Sequence, residues 1–355
     1  MNDLIMQLLA IFLVIGALDL SIGNRFGLGE AFKKGVFSMG PLALAMIGII
    51  TLSPIIAELL IPVITPIYTA IGADPASFAN TLLAIDMGGY VLAESLALSP
   101  EGALFAWVFL GTMLGPTIVF TIPVALGIIE QEDHDIFAKG ILIGLSTVPL
   151  GCFTGGLLAG FDLTFVLLNL IIPVLFSIII IIGLYIRPRL LIKCFIGFGK
   201  VIMFIGVLGL ALAGTELLTG VQLMKDLIPY GDGLRIVGTI AMVLAGAYPL
   251  VTFITKLLDK PLMRLSKHMA VDQAAVVGFI SCFAHSIPAF VLVKDMTPRG
   301  KLVIMAFSVS GAFVIGGHLG FVAEVNPAMV VYMIAGKLVA GFSAALIAFF
   351  VRVTN

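Results

Sequence analysis

Nine stretches of about 20 mostly apolar residues, the length that crosses the hydrocarbon of a bilayer as a helix, constrain this chain more than any other feature of its sequence. They begin near Leu4, Phe37, Gly102, Gly140, Leu163, Cys194, Leu234, Leu302 and Ala328. A backbone in lipid must satisfy its own polar groups, so runs of this kind become helices. Two further apolar stretches, 78–93 and 274–293, are short or interrupted, the first by Gly88 and Gly89 and the second by His285 and Pro288. The expected fold is an all-α polytopic membrane protein with about nine crossings and two re-entrant or broken segments, and eleven spans is the alternative. The stretch from Leu4 to Leu18 follows no basic region and precedes no small-residue cleavage signal, so it is expected to stay as a first helix.

Only 11% of the residues are charged, against about 25% in an ordinary soluble domain. The net charge of −1 offers nucleic acid no basic surface. Cys152, Cys194 and Cys282 each lie in an apolar run, which suits buried thiols and not a disulfide frame or a metal site. No phosphate-binding G-x-x-x-x-G-K-S/T loop is present, so nothing suggests ATP as the direct energy source. No cofactor is expected. The acidic run at 130–135 reads as a solvated loop without metal-ligand spacing.

Lys and Arg concentrate on the cytoplasmic side of membrane proteins. With the N-terminus outside, nine crossings, and the interrupted stretches returning to the side they entered from, most of the 19 Lys and Arg residues fall on the cytoplasmic side, at 25–34, 139, 187–193, 256–267, 294–301 and 352. Only Lys225 and Arg235 fall outside, while Lys200 and Lys337 lie within helices. The same arrangement puts the C-terminus in the cytoplasm. A full crossing at 274–293 would put one of the basic loops 256–272 and 294–301 outside, and the loops flanking 78–93 hold Glu58, Asp74, Glu94 and Glu101 and no Lys or Arg, so both stretches are read as re-entrant.

The chain also matches itself in order. Gly40 and Gly48 correspond to Gly238 and Gly246, Pro54 and Pro66 to Pro249 and Pro261, and Y-V-L at 90–92 to F-V-L at 290–292. The helix from Leu163 to Ile186 would join two halves of four crossings and one broken segment each, so the second half enters the membrane inverted. The expected division is 1–161 for the first inverted repeat, 162–193 for the linking helix and a cytoplasmic loop, and 194–355 for the second. Transporters of this plan place their site at the repeat interface, near the midplane.

Several stretches spread over the chain resemble the ethanolamine-utilisation transporter family, EutH. They are T-L-L-A-I-D-M-G-G at 81–89, G-P-T-I-V-F-T-I-P-V-A-L-G-I-I-E at 115–130, G-A-Y-P at 246–249, R-G-K at 299–301 and H-L-G-F at 318–321. The chain departs from the family pattern at Gly317, where an acidic residue often stands, and at A-H-S-I-P, 284–288, where amides are common. The resemblance implies a permease of the bacterial inner membrane that imports ethanolamine by facilitated diffusion or secondary transport, with the lipid bilayer as its surroundings and a homodimer compatible with the plan.

Ethanolamine carries an ammonium at neutral pH, as a lysine side chain does, and its passage through hydrocarbon requires a counter-charge or acceptor oxygens in place of water. Asp86 is the best-placed carboxylate, since a lone acid in an apolar run is costly unless it serves a site or a pair. Gly88 and Gly89 would bring backbone carbonyls close, and Tyr90 would offer a ring one turn away if the helix persists. The internal match sets Ser286, beside His285, opposite Asp86, and Thr117 opposite His318. Neutral imidazoles would take the ammonium proton or bond the hydroxyl, whereas charged ones would repel the substrate, so transport is expected to weaken at acid pH. Lys337 is a structural ion-pair candidate, for example with Asp86. Trp107, Phe120, Tyr248 and Phe321 read as packing or lipid-facing residues. The remaining readings are a proton- or sodium-coupled carrier of another small amine or amino acid and, from another class, an intramembrane enzyme. The latter lacks an H-E-x-x-H or paired-aspartate motif, and the chain is expected not to be an enzyme.

Overall fold

The structure is a computed structural model that describes residues 2–269 and 272–351. Arg352, counted above among the cytoplasmic charges, and the C-terminus itself lie outside the described residues. Every regular element among those residues is helical. In chain order these are α1 (Asn2–Ser21), α2 (Leu28–Phe37), α3 (Met39–Ala70), α4 (Ala76–Leu82) and α5 (Tyr90–Leu96). A long span from Pro100 to Ile128 follows, made of α6 (Pro100–Phe105), α7 (Gly111–Pro116) and α8 (Ile122–Ile128), joined by two π turns. Then come α9 (His134–Leu158), α10 (Leu163–Ile186), α11 (Pro188–Thr219), α12 (Tyr230–Met269), α13 (Gln273–Ala284), α14 (Ser286–Leu292), α15 (Pro298–Gly311), α16 (Gly317–Val325) and α17 (Val330–Phe350).

Among the described residues, seven helices are long and apolar enough to cross a membrane, judged by length and composition. α10 shows why such a helix belongs in lipid. Its inner face buries Val166, Leu170, Ile180 and Leu184, while Leu167, Ile171, Leu175, Ile178 and Ile182 are exposed on the other. A helix that is apolar all round has no use for water on either side. Asp162 starts it by accepting hydrogen bonds from the backbone N–H groups of Thr164, at 2.8 Å, and Phe165, at 3.2 Å. The run near Leu4 forms a shorter apolar helix. The run near Leu302 is not continuous: α15 ends at Gly311, and the chain unwinds through 312–316 before α16.

Both interrupted stretches are broken helices. α4 and α5 flank the break around Leu83–Gly89, and α13 and α14 meet at His285, whose φ of −162° and ψ of 138° are extended. α9 packs on both α15 and α17 at the centre. Around this centre the long helices exchange partners, α2 with α1 resting on α12 while α11 rests on α3.

The same polar knot fixes the start of each broken helix. The Asp74 carboxylate accepts from Ala76 N at 2.9 Å, Leu98 N at 3.1 Å, Ser99 N at 3.1 Å and the Ser99 hydroxyl at 3.0 Å, and Ser99 in turn caps α6 through Gly102 N. The Asp272 carboxylate accepts from Ala275 N at 2.8 Å, Thr297 N at 2.7 Å and the Thr297 hydroxyl at 2.6 Å, and Thr297 caps α15 through Gly300 N. A side chain at Gly102 or Gly300 would collide with the carboxylate it faces.

Two local readings change. Asp133, in the acidic run, is buried and bonds Lys301 Nζ at 2.6 and 2.7 Å, because this pair joins the start of α9 to the start of α15 and is not free in solvent. Cys194 is exposed on α11, unlike the buried Cys152 and Cys282, since its helix turns that face away from the core.

Replacing Asp272 by alanine should lower stability by about 1 kcal/mol, the usual cost of a lost helix cap. Replacing the more buried Asp74 should cost more, about 2–3 kcal/mol, because several donors lose a charged acceptor. Thermal unfolding in detergent checks both. Burial pushes the Asp272 carboxyl up, but the hydrogen bonds from Thr297 and Ala275 outweigh it and hold the group below its ordinary range. Its stabilisation is therefore present above the usual carboxylate range and lost as pH falls below it, so acidification should lower the melting temperature less in Asp272→Asn than in the wild type.

Candidate functional site

The breaks are positioned by close backbone contact. Gly115 on α7 lies against the Leu83 carbonyl, where an added Cβ would stand 2.0 Å from the oxygen, and Gly316 lies in the same way against the Ala284 carbonyl, also at 2.0 Å. The unwound 312–316 segment finds its partners on the end of α13: Phe313 N–H donates to Cys282 O at 2.9 Å and Ile315 N–H to Phe283 O at 2.8 Å. Phe313 takes a φ of +63°, a conformation that a bulky residue adopts only where its surroundings impose it.

Asp86 sits in the first break. Met87, with φ −118° and ψ 40°, and Gly88, with φ 87° and ψ −7°, interrupt the helix there. Only glycine suits position 88, since its φ is positive and a Cβ would meet the Ile49 side chain at 2.0 Å. Gly89 packs as tightly against Asn80 and the Ala84 carbonyl. Tyr90 begins a new helix, so the regular turn imagined between Asp86 and Tyr90 is not formed. Its ring stacks edge-on against Trp107 and Phe321, with centroids at 5.4 and 5.3 Å, and the Trp107 indole donates to Glu94 Oε1 at 2.9 Å.

The Asp86 carboxylate is half-buried and faces the start of α16, where a Cβ added to Gly317 would stand 3.9 Å from its Oδ2. Asp86 has no side-chain hydrogen-bond partner among the described residues and no cation within 4.0 Å; the ion pairs there are Lys33 with Glu30 and Lys301 with Asp133. Lys337, fully buried on α17, donates instead to the Thr112 carbonyl at 2.5 Å and lies 3.2 Å from His318 Nδ1.

The rings of both histidines pack against Phe313. The centroid separations are 4.7 Å from His285 to Phe313 and 4.9 Å from Phe313 to His318, with Phe120 completing the cluster at 5.6 Å from Phe313. His285 caps α14, its Nδ1 accepting from Ile287 N at 3.2 Å. Ser286 is fully buried and its hydroxyl has no partner among the described residues. The Thr117 hydroxyl donates to Met113 O at 2.9 Å and approaches Val309 O at 3.4 Å, so it ties its span to α15 and does not reach His318.

A cavity of about 690 Å³ opens beside His285 and runs past Ser281, Thr252 and Tyr248 to Lys34 and Lys256. Asp86 thus faces the start of α16, the helix that carries His318, from a distant part of the sequence, and His285 lines the cavity. Sequence reasoning did not find the Lys337 to Thr112 contact or the role of Phe313. It also missed the paired knots, although D-x24-S-P-x-G from Asp74 and D-x24-T-P-x-G from Asp272 repeat at a fixed offset. Among the described residues, no group of three or more His, Cys, Asp or Glu side chains could hold a metal ion.

The chain is 54% identical over 344 residues to the Bacillus subtilis protein named "Uncharacterized protein YxeR", covering 97% of this chain and 93% of the relative. It is 50% identical over 343 residues to the "Probable ethanolamine permease EutH" of Listeria monocytogenes, with 97% and 92% covered. Identity is 39% over 384 residues to the protein of the same name from Salmonella typhimurium, with 97% and 93% covered. No solved structure matches. The family described as "Ethanolamine utilisation protein, EutH" matches residues 1–351, and the chain belongs to that family.

Proposed function

We propose that this protein carries ethanolamine, as its ammonium, across the bacterial inner membrane by facilitated diffusion or secondary transport. The observation that carries the reading is the half-buried Asp86 carboxylate, without a side-chain partner among the described residues, at the meeting of two unwound segments. Intramembrane acids that serve structure alone find a cation, and the nearest buried cation, Lys337, is engaged elsewhere. A small ammonium supplies the missing partner, and the names of the relatives in Listeria and Salmonella agree with it.

The fixed-offset knots around Asp74 and Asp272, each followed by a broken helix, support the inverted-repeat reading with its site at the repeat interface. Basic residues at the mouth of the cavity, Lys34 and Lys256, support a conformer open to the cytoplasm. On this reading the Tyr90, Trp107 and Phe321 stack closes the outer side, and Phe313 separates Asp86 from the inner cavity. Gly88 and Gly89 serve the site by shaping the break, while Thr117 and Ser286 support it from the packed side.

Asp86→Asn should reduce uptake of labelled ethanolamine into proteoliposomes by at least about 10-fold, the scale of one lost charge-assisted bond, with an unchanged melting temperature; full uptake would remove the site. Uptake with and without an imposed pH gradient separates uniport from proton coupling. In a variant lacking Cys194, Ser281→Cys should react with a membrane-impermeant thiol reagent applied from the cytoplasmic face and not from the other, and the reverse pattern would invert the assigned orientation.

A further inference from the structure

A buried cation beside a cation-binding site needs an explanation, because Lys337 on its own would repel the substrate. Its contacts supply one. Nζ bonds the Thr112 carbonyl, which can only accept, and lies 3.2 Å from His318 Nδ1. With Lys337 as an ammonium, which can only donate, Nδ1 offers its lone pair, and an imidazole that accepts at Nδ1 carries its proton on Nε2. A doubly protonated ring would set N–H against N–H at this contact. His318 Nε2 has no hydrogen-bond partner among the described residues. His285 is held in the same form by the Ile287 N–H on its Nδ1. Neither ring, so held, has a lone pair left for the substrate's ammonium, and both have one N–H to give.

We propose that Lys337 is a positioning residue for substrate selection: by occupying Nδ1 it locks His318 as a neutral Nε2–H donor that holds the hydroxyl oxygen of an amino alcohol whose ammonium rests on Asp86. The proposal rests on the assignment of Asp86 as the cation site. The placement allows it, since the Asp86 carboxylate faces Gly317, the residue next to His318. The chemistry favours short amines with an acceptor oxygen two carbons away. An alkylamine of the same size offers the Nε2–H no acceptor, and sites built to bond a hydroxyl reject such analogues strongly.

The test uses the full-length protein in proteoliposomes, with ethanolamine and n-propylamine, which has a methyl group in place of the hydroxyl, as competing substrates. The wild type should favour ethanolamine by about 100-fold in KM, and Lys337→Met should lose at least about 10-fold of that ratio; removal of the nearby positive charge acts on both ammoniums alike and cancels in the ratio. The tautomer is read directly from nitrogen-15 NMR of histidine-labelled wild-type protein, in which His318, one of 4 histidines, is assigned by the signal lost in His318→Asn. A neutral ring protonated at Nε2 is expected. An Nδ1–H tautomer or an imidazolium in the wild type overturns the proposal without any variant of Lys337, and so does a folded Lys337→Met protein with an unchanged ratio. If Asp86→Asn leaves uptake of both amines untouched, it is the cation site that fails, and the proposal falls with it.

Discussion

An unwound backbone inside an apolar layer is stable only if each freed N–H and C=O finds a partner, and the arrangement of this protein follows from meeting that demand. Three breaks interrupt its helices, around Asp86, at His285 and at 312–316. The third is satisfied by the second: the amides of Phe313 and Ile315 bond the last carbonyls of α13. Glycines at 115 and 316 let helix backbones close on the exposed carbonyls of Leu83 and Ala284. The breaks are thus stable because they lie against each other and against small residues, and their convergence creates a polar centre in an otherwise apolar bundle.

Charge is distributed around that centre economically. Structural acids are saturated: Asp74 and Asp272 by backbone and hydroxyl donors, Asp133 by Lys301. Asp86 has no such donors among the described residues, and in this it differs from the carboxylates that hold a turn. Lys337, fully buried on α17, contacts a carbonyl and an imidazole and makes no ion pair with Asp86 within 4.0 Å.

Much of this was legible in the sequence. The apolar runs gave the helical class, Gly88 with Gly89 and His285 with Pro288 marked two real breaks, and the run at 115–130 carried the family. The break at 312–316 was hidden because Ala312, Phe313, Val314 and Ile315 are good membrane-helix residues, and only their contacts with α13 unwind them. The turn between Asp86 and Tyr90, conditional on the helix persisting, does not form, because Gly88, with its positive φ, ends the helix there. Asp133 looked solvated because its partner Lys301 is 168 positions away. Short-range pattern reports periodicity and breakers well, but not which distant group will satisfy a polar atom.

The exchange of partners among the long helices has a consequence for biogenesis. α2 rests on α12, which the ribosome makes roughly 200 residues later, and α3 must wait for α11. The first half therefore enters the membrane with faces that lipid or a chaperone must cover until the second half arrives. The early helices α2 and α3 complete their packing only when α11 and α12 have been made.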